Sequence, residues 1–279
     1  MRVRTVTALV AGLVAVVVAI VTVPMFWVST HVVDEDGYVT FSSSLATDDD
    51  LQAAVAAYLA DDFVQRGLVP APLQDTAAGV LTSVAQAAAN QPGFVAAWDE
   101  TQRSLHRSAF GDGSGPLTVR LQPLGRFVAD RAGERLPVSL DVSTDLAAPV
   151  GTAADRSRLQ QLERAQTYSL LGLMIVLAGA ALCLVVARRR TLAVAGLGAG
   201  ALVVAGVLRV ATEIVAPQAV DRAEGLSPFA QQVQRLLVER AADSLSAWLE
   251  QIALVGAVAL VVGLLGRIVV GFRRSGAAS

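Results

Sequence analysis

Two histidines, one cysteine and a few short acidic clusters are the residues from which this chain could build chemistry. His31 and His106 alone cannot make a histidine-rich metal site. The chain also lacks HExxH, CxxC, a Walker loop, GxSxG and a GxGxxG after a strand. Asp34-Glu35-Asp36-Gly37 resembles the opening of a calcium loop, but the later ligands and the terminal glutamate are missing. It is read as a solvated acidic turn. Asp48-Asp49-Asp50 puts carboxylates on successive residues, which diverge around a helix. With Thr47 ahead of them they read as a helix start, Thr47 capping and Asp50 reaching back.

Trp98 and His106 fall on one helical segment. A tryptophan in an apolar stripe is expected in a core, and a lone histidine on a helix is expected to be solvated or hydrogen-bonded. Cys183 sits in an apolar run without an intrachain partner, which excludes a disulfide framework. Arg209 and Glu213, four residues apart, read as an interfacial ion pair rather than a transport pathway. No residue is therefore assigned a catalytic, cofactor-binding or metal-binding role, no cofactor is expected, and an enzyme is not the expected class.

The elements that would carry such residues are unusual in composition. Of 279 residues, 54% are apolar, 16% charged and 5% aromatic, and the mean hydropathy is +0.55. A soluble domain would carry about 25% charged residues. The deficit is concentrated in four long runs: Thr5 to Val28, Tyr168 to Ala187, Thr191 to Leu208, and Ala247 to Gly266, which holds Glu250 and Gln251 near its start. Each is long enough for a hydrocarbon core of about 30 Å. The first exceeds a signal peptide's apolar region and Pro24-Met25-Phe26-Trp27 offers no small-x-small site, so it is read as an uncleaved anchor with Trp27 at the interface.

All 22 basic residues are arginine. Eight of them, Arg2, Arg4, Arg188, Arg189, Arg190, Arg267, Arg273 and Arg274, fall in the two tails and the middle turn, where there is no acid. Residues 29–167 hold ten arginines against 18 acids, a net charge of −8. The positive-inside rule then predicts a multi-pass protein of the plasma membrane with both termini cytoplasmic and the large loop outside.

The expected organisation is an N-terminal anchor (1–28), an external α+β domain (29–152), a stalk helix with the second span (153–187), a third span (191–208), an external helical loop (209–251), a fourth span (252–272) and a cytoplasmic tail (273–279). The external domain is read as three helices and a two-stranded ribbon. Leu51, Val55, Tyr58, Leu59 and Phe63 mark the first helix, stopped by Gly67; Leu73 to Ala89 is the second, and Pro92 to Phe110 the third. Leu117, Val119 and Leu121 alternate with polar residues, as do Leu136, Val138, Leu140 and Val142, with a short helical stretch around Leu124 to Ala132 between. The fold class is thus a mainly α membrane protein with four transmembrane helices and a small α+β external domain.

Two longer helices are also expected. Ala153 to Ala187 and about Pro228 to Gly266 contain no internal proline, and their apolar faces, Leu159 with Leu162 and Val233 with Leu236 and Leu237, demand burial. They would make the domain a rigid platform. In the third span, Gly196, Gly198, Gly200 and Gly206 form a small face suited to packing within the bundle rather than to dimerisation.

Gln91-Pro92-Gly93-Phe94-Val95-Ala96-Ala97-Trp98, His106-Arg107, Val138-Ser139-Leu140-Asp141-Val142 and Arg188-Arg189-Arg190 together resemble a set of uncharacterised actinobacterial four-span integral membrane proteins with an external domain after the first span. The resemblance implies that architecture and no reaction or substrate. The function expected is a non-enzymatic envelope protein whose external domain is a binding or scaffolding platform. Its partners would be the lipid bilayer and an envelope protein or a wall or lipid component, with no nucleic acid. A sensor or transport accessory acting through a partner, and an envelope-modifying enzyme, are the alternatives.

Overall fold

The computed structural model of the chain describes residues 2–65, 79, 82–83, 86–87, 91–111, 113–133, 146–221 and 227–275. Its contacts divide it into two compact units. One comprises Met1–Val28, Arg164–Pro217 and Arg240–Ser279; the other comprises Ser29–Glu163 and Gln218–Glu239.

The first unit is helical. It holds α1 (Arg2–Val28), most of α6 (Ala153–Val186) and α7 (Arg190–Asp221), and the larger part of α8 (Pro228–Ser275). Four helices are long and apolar enough to cross a membrane, at Thr5–Val33, Ala153–Val186, Arg190–Val220 and Pro228–Ile268. Every exposed large apolar side chain among the described residues falls on one of them, Leu9, Met174, Val185 and Val255 among the most exposed. Apolar surface on that scale is stable facing lipid and not facing water. The chain is a multi-pass membrane protein.

Small residues set the helix spacing in this unit. A Cβ on Gly198 of α7 would lie 2.5 Å from the Gly256 carbonyl oxygen and 2.5 Å from the Leu260 nitrogen of α8. Gly263 of α8 meets the Ala195 nitrogen just as closely, and Gly172 of α6 meets Thr22 of α1. The expected packing within the bundle is therefore observed for Gly198 and for Gly200, which faces Val16. Gly196 and Gly206 are different, because nothing lies within 4 Å of their Cβ positions. Trp27 is buried against α8 and donates from Nε1 to Ser244 Oγ at 3.2 Å, beside a Phe26–Trp248 ring contact at 5.9 Å. Its polar edge is thus met by a hydroxyl.

Helix α1 passes through Pro24 and ends in one turn of π-helix, Ser29–Val33. The second unit begins there. Asp34 caps α2 (Glu35–Ser43) by accepting from the Gly37 nitrogen at 2.7 Å, so the acidic tetrad is a helix start rather than a free turn. Gly37 is required, since a Cβ would overlap the Thr30 carbonyl. A single 3₁₀ turn, Ser44–Thr47, leads to α3 (Asp49–Gln65). Here Asp48 is the cap, its Oδ1 accepting from the nitrogens of Asp50 and Leu51 at 3.0 Å each. Thr47 instead donates to the Ser44 carbonyl, which corrects the expected cap by one residue. Asp48 has the extended backbone that a cap needs (φ −82°, ψ 124°), whereas Thr47 still belongs to the turn. Asp48→Ala should cost about 1 kcal/mol, and Thr47→Ala less than about 0.5 kcal/mol. Thermal unfolding of the two variants checks the assignment, and a larger loss at Thr47 would reverse it.

Helix α4 (Pro92–Phe110) has the bounds its periodicity predicts. Strand β1 (Leu117–Arg120), helix α5 (Gln122–Gly133) and strand β2 (Ala147–Gly151) follow. The ribbon is antiparallel, pairing Val119 with Ala148 and Arg120 with Ala147, with a bulge between Leu117 and Thr118. The partner of β1 is therefore Ala147–Gly151. The expected strand at Leu136–Val142 lies outside the described residues, as does most of the expected helix Leu73–Ala89, of which the described residues 79, 82–83 and 86–87 are helical.

The core of this unit joins α3, α4, β1, α5 and β2 with the start of α8. Leu51, Leu59, Phe63, Phe94, Leu121, Leu124 and Leu146 are fully buried, and Phe229 and Leu236 complete the cluster. Helix α6 runs unbroken from Ala153 to Val186, and α8 from Pro228 to Ser275. Leu236 is buried and Leu162 partly so.

Candidate functional site

The stripe of α4 that faces the core, Phe94, Trp98, Thr101, Leu105 and Ala109, repeats at three and four residues. Around its C-terminal half the second unit leaves a partly open cavity of about 240 Å³. Residues of α2, α4, both strands and the starts of α6 and α8 line it, chiefly apolar ones such as Trp98, Phe110, Leu117, Leu159, Phe229 and Val233. That is close to the smaller end of the roughly 300–1,000 Å³ typical of ligand sites.

Its polar groups are Tyr38, Thr101, Gln102, His106 and Gln234, and each bonds within the protein. Tyr38 donates its hydroxyl to Gln102 Oε1 at 2.8 Å, Thr101 to the Ala97 carbonyl at 2.8 Å, and Gln234 to the Ala219 carbonyl at 3.0 Å. His106 places Nε2 3.0 Å from the Val33 carbonyl and 3.2 Å from that of Val32. Both partners are acceptors, so Nε2 carries the proton. The ring lies between Tyr38 (5.5 Å) and Phe110 (4.5 Å). Its other nitrogen, Nδ1, is 4.0 Å from Glu35 Oε2, too long for a hydrogen bond. Glu35 also approaches Arg107, at 3.6 Å. His106 thus holds the carbonyls at the end of the π-turn. A base needs a free nitrogen within reach of a hydroxyl or thiol, and no described bond joins His106 to one.

Burial pushes the Tyr38 phenol above its ordinary range. A raised value gives stability that is complete below the unfolded value of about 10 and is lost as pH rises above it. The full chain should therefore lose thermal stability as pH rises above about 10, and Tyr38→Phe should lose less. Equal losses in the two would refute the assignment.

A second feature lies at the far end of α4. Arg156 of α6 is 8% exposed, and its Nη2 donates to Ser108 Oγ at 3.2 Å and to the Pro116 carbonyl at 3.0 Å. Gln160 donates to the Gly111 carbonyl at 2.8 Å. The two side chains clasp the turn between α4 and β1, and a Cβ on Gly113 would overlap the guanidinium. Among the described residues, Arg156 Nε has no hydrogen-bond partner.

The core position expected for Trp98 is observed, and of the two expectations for His106, solvated or hydrogen-bonded, the structure has the second. It had not found Tyr38, Gln102 or Arg156. Asp34 followed by two acids is a helix-start signal that would have placed Tyr38 on α2. Among the described residues no group of three or more His, Cys, Asp or Glu could hold a metal ion. Arg209 Nε pairs with Glu213 at 3.2 Å, and its Nη1 lies 4.0 Å from Glu250. No family model, curated protein or solved structure matches the chain.

Proposed function

We propose that this is a non-enzymatic integral membrane protein of the cell envelope whose second unit is an extracytoplasmic binding platform. The observation that carries the reading is the 240 Å³ cavity with every polar lining group already bonded inside the protein. Such a lining offers shape and apolar contact to a bound group, and holds no poised nucleophile and base. Both termini are cytoplasmic on this reading, because the acid-free arginine segments lie at one end of the spans. The partner is an envelope protein or a wall or lipid component.

Two measurements test it. Alkaline phosphatase fused after Gly113 should be active, and a cytoplasmic reporter at the same position silent; the reverse pattern overturns the topology. A photoreactive residue replacing Val233, on the cavity wall, should crosslink one envelope component reproducibly from intact membranes. Ala109→Trp, which fills the cavity, should abolish that crosslink. Hydrolysis of an envelope substrate by the purified chain, with no crosslinked component, would overturn the non-enzymatic reading.

A further inference from the structure

We infer that the membrane unit carries a binding groove for one anionic phospholipid, with the acyl chain between α1 and α7 and the headgroup phosphate on Arg188 and Arg189. The groove has a volume of about 680 Å³. Leu9, Leu13 and Val16 of α1 form one wall, and Leu192 and Leu197 of α7 the other. Its floor is the buried cluster of Ala8, Cys183 and Ala193. Small residues keep it open. The Cβ position of Gly196 has no neighbour within 4 Å, and that of Gly12 meets only Cys183 Sγ, at 3.7 Å.

One end carries the charge. Arg188 and Arg189 belong to the groove lining, both are exposed, and Arg190 follows them in sequence. No acid lies in this turn or among the groove residues. Apolar walls closed by a pair of guanidinium groups match a lipid tail joined to a phosphate, which accepts bidentate bonds from arginine. A zwitterionic lipid would lose part of that attraction to its own ammonium.

A second groove supplies the contrast. On the other side of α1, Val10, Val14, Ile175, Ala178 and Leu182 help to line about 740 Å³ with no ionisable residue. Of two grooves similar in size and apolarity, only the first has a feature that distinguishes headgroups. The inference does not depend on what the second unit binds.

Native mass spectrometry of the full chain in a neutral detergent, offered phosphatidylglycerol and phosphatidylcholine with the same acyl chains, tests it. The expected result is one retained phosphatidylglycerol, preferred by about tenfold or more. Arg188→Gln with Arg189→Gln should bring the two lipids to parity, while lysine at both positions keeps the preference. Gly196→Leu, whose side chain enters open space, should reduce retention of phosphatidylglycerol at unchanged thermal stability. Ala178→Leu, in the uncharged groove, should leave it unaltered. Parity in the unmodified protein, or a preference that survives the glutamine pair, overturns the proposal. Displacement of the lipid by millimolar inorganic phosphate also overturns it, because the site would then be one for a free anion.

Discussion

Gly198→Leu is expected to unfold the membrane unit. The Cβ position of Gly198 lies 2.5 Å from two backbone atoms of α8 and 3.0 Å from a third, the Leu260 Cα. Backbone cannot rotate away as a side chain can, so the helices must separate along their crossing. Gly256 reports the same contact from the other side, its Cβ position 2.9 Å from the Gly198 carbonyl oxygen. Overpacking a core costs about 1–3 kcal/mol when side chains can adjust; with backbone on both sides the loss should exceed about 3 kcal/mol. Two neighbours on the same helix calibrate it. Gly196→Ala and Gly206→Ala place their methyl groups in open space and should be neutral or stabilising by up to about 1 kcal/mol through helix propensity. Thermal unfolding in detergent, followed by size-exclusion profiles, reads all three. If Gly198→Leu melts within a few degrees of the alanine variants, the crossing is wrong.

Trp98→Ala should be the most damaging single change in the second unit. Trp98 is 2% exposed in the core and donates from Nε1 to the Ser42 carbonyl at 2.9 Å. Its removal leaves a cavity and takes one of two donors from the Ser42 carbonyl, which also accepts from the Ser44 nitrogen. Aromatic-to-alanine changes in cores cost about 3–5 kcal/mol, and the lost hydrogen bond adds about 0.5–1.5 kcal/mol. Trp98→Phe separates the two contributions, since it keeps most of the apolar volume and loses the hydrogen bond. It should cost about half as much. Denaturation of the full chain in detergent, monitored by near-ultraviolet circular dichroism, provides the values. A phenylalanine variant as damaging as alanine would mean that the Ser42 bond, rather than packing, sustains the site.

Elements with a strong period were readable from the residues. The four apolar runs became the four long helices, and Pro92 to Phe110 kept its bounds because a proline opens it, a glycine closes it and a clear stripe runs between. Long-range pairing was not readable. Ala147-Ala148-Pro149-Val150-Gly151 has no alternation of large apolar residues, yet its small side chains let it lie against Val119 in the core. The cap at Asp48 was missed by one residue, since Thr47 and Asp48 are both good capping types and only the backbone turn chooses between them. Nothing local in the sequence records that Trp27 meets Ser244, 217 residues on. The site was the least legible part. Its cavity is bordered by segments remote in sequence, from Val32 to Leu237, and no local pattern records that they converge.

That remoteness fixes an order of events during synthesis. The second unit draws its residues from Ser29–Glu163 and again from Gln218–Glu239. Phe229 and Leu236 belong to its core, and Val233 and Leu237 to the cavity wall. At about 5–20 residues per second, a ribosome needs roughly 4–15 s to pass from Glu163 to Glu239. Throughout that interval the nascent unit presents Tyr58 without the Phe229 ring that stacks on it at 4.6 Å. The unit therefore completes its cavity wall last, and its early form exposes an apolar opening to whatever chaperone attends the emerging chain. A ribosome stalled before Ser227 would hold that opening unsealed, and crosslinks from Tyr58 to a holdase should appear there and vanish once Leu237 has emerged.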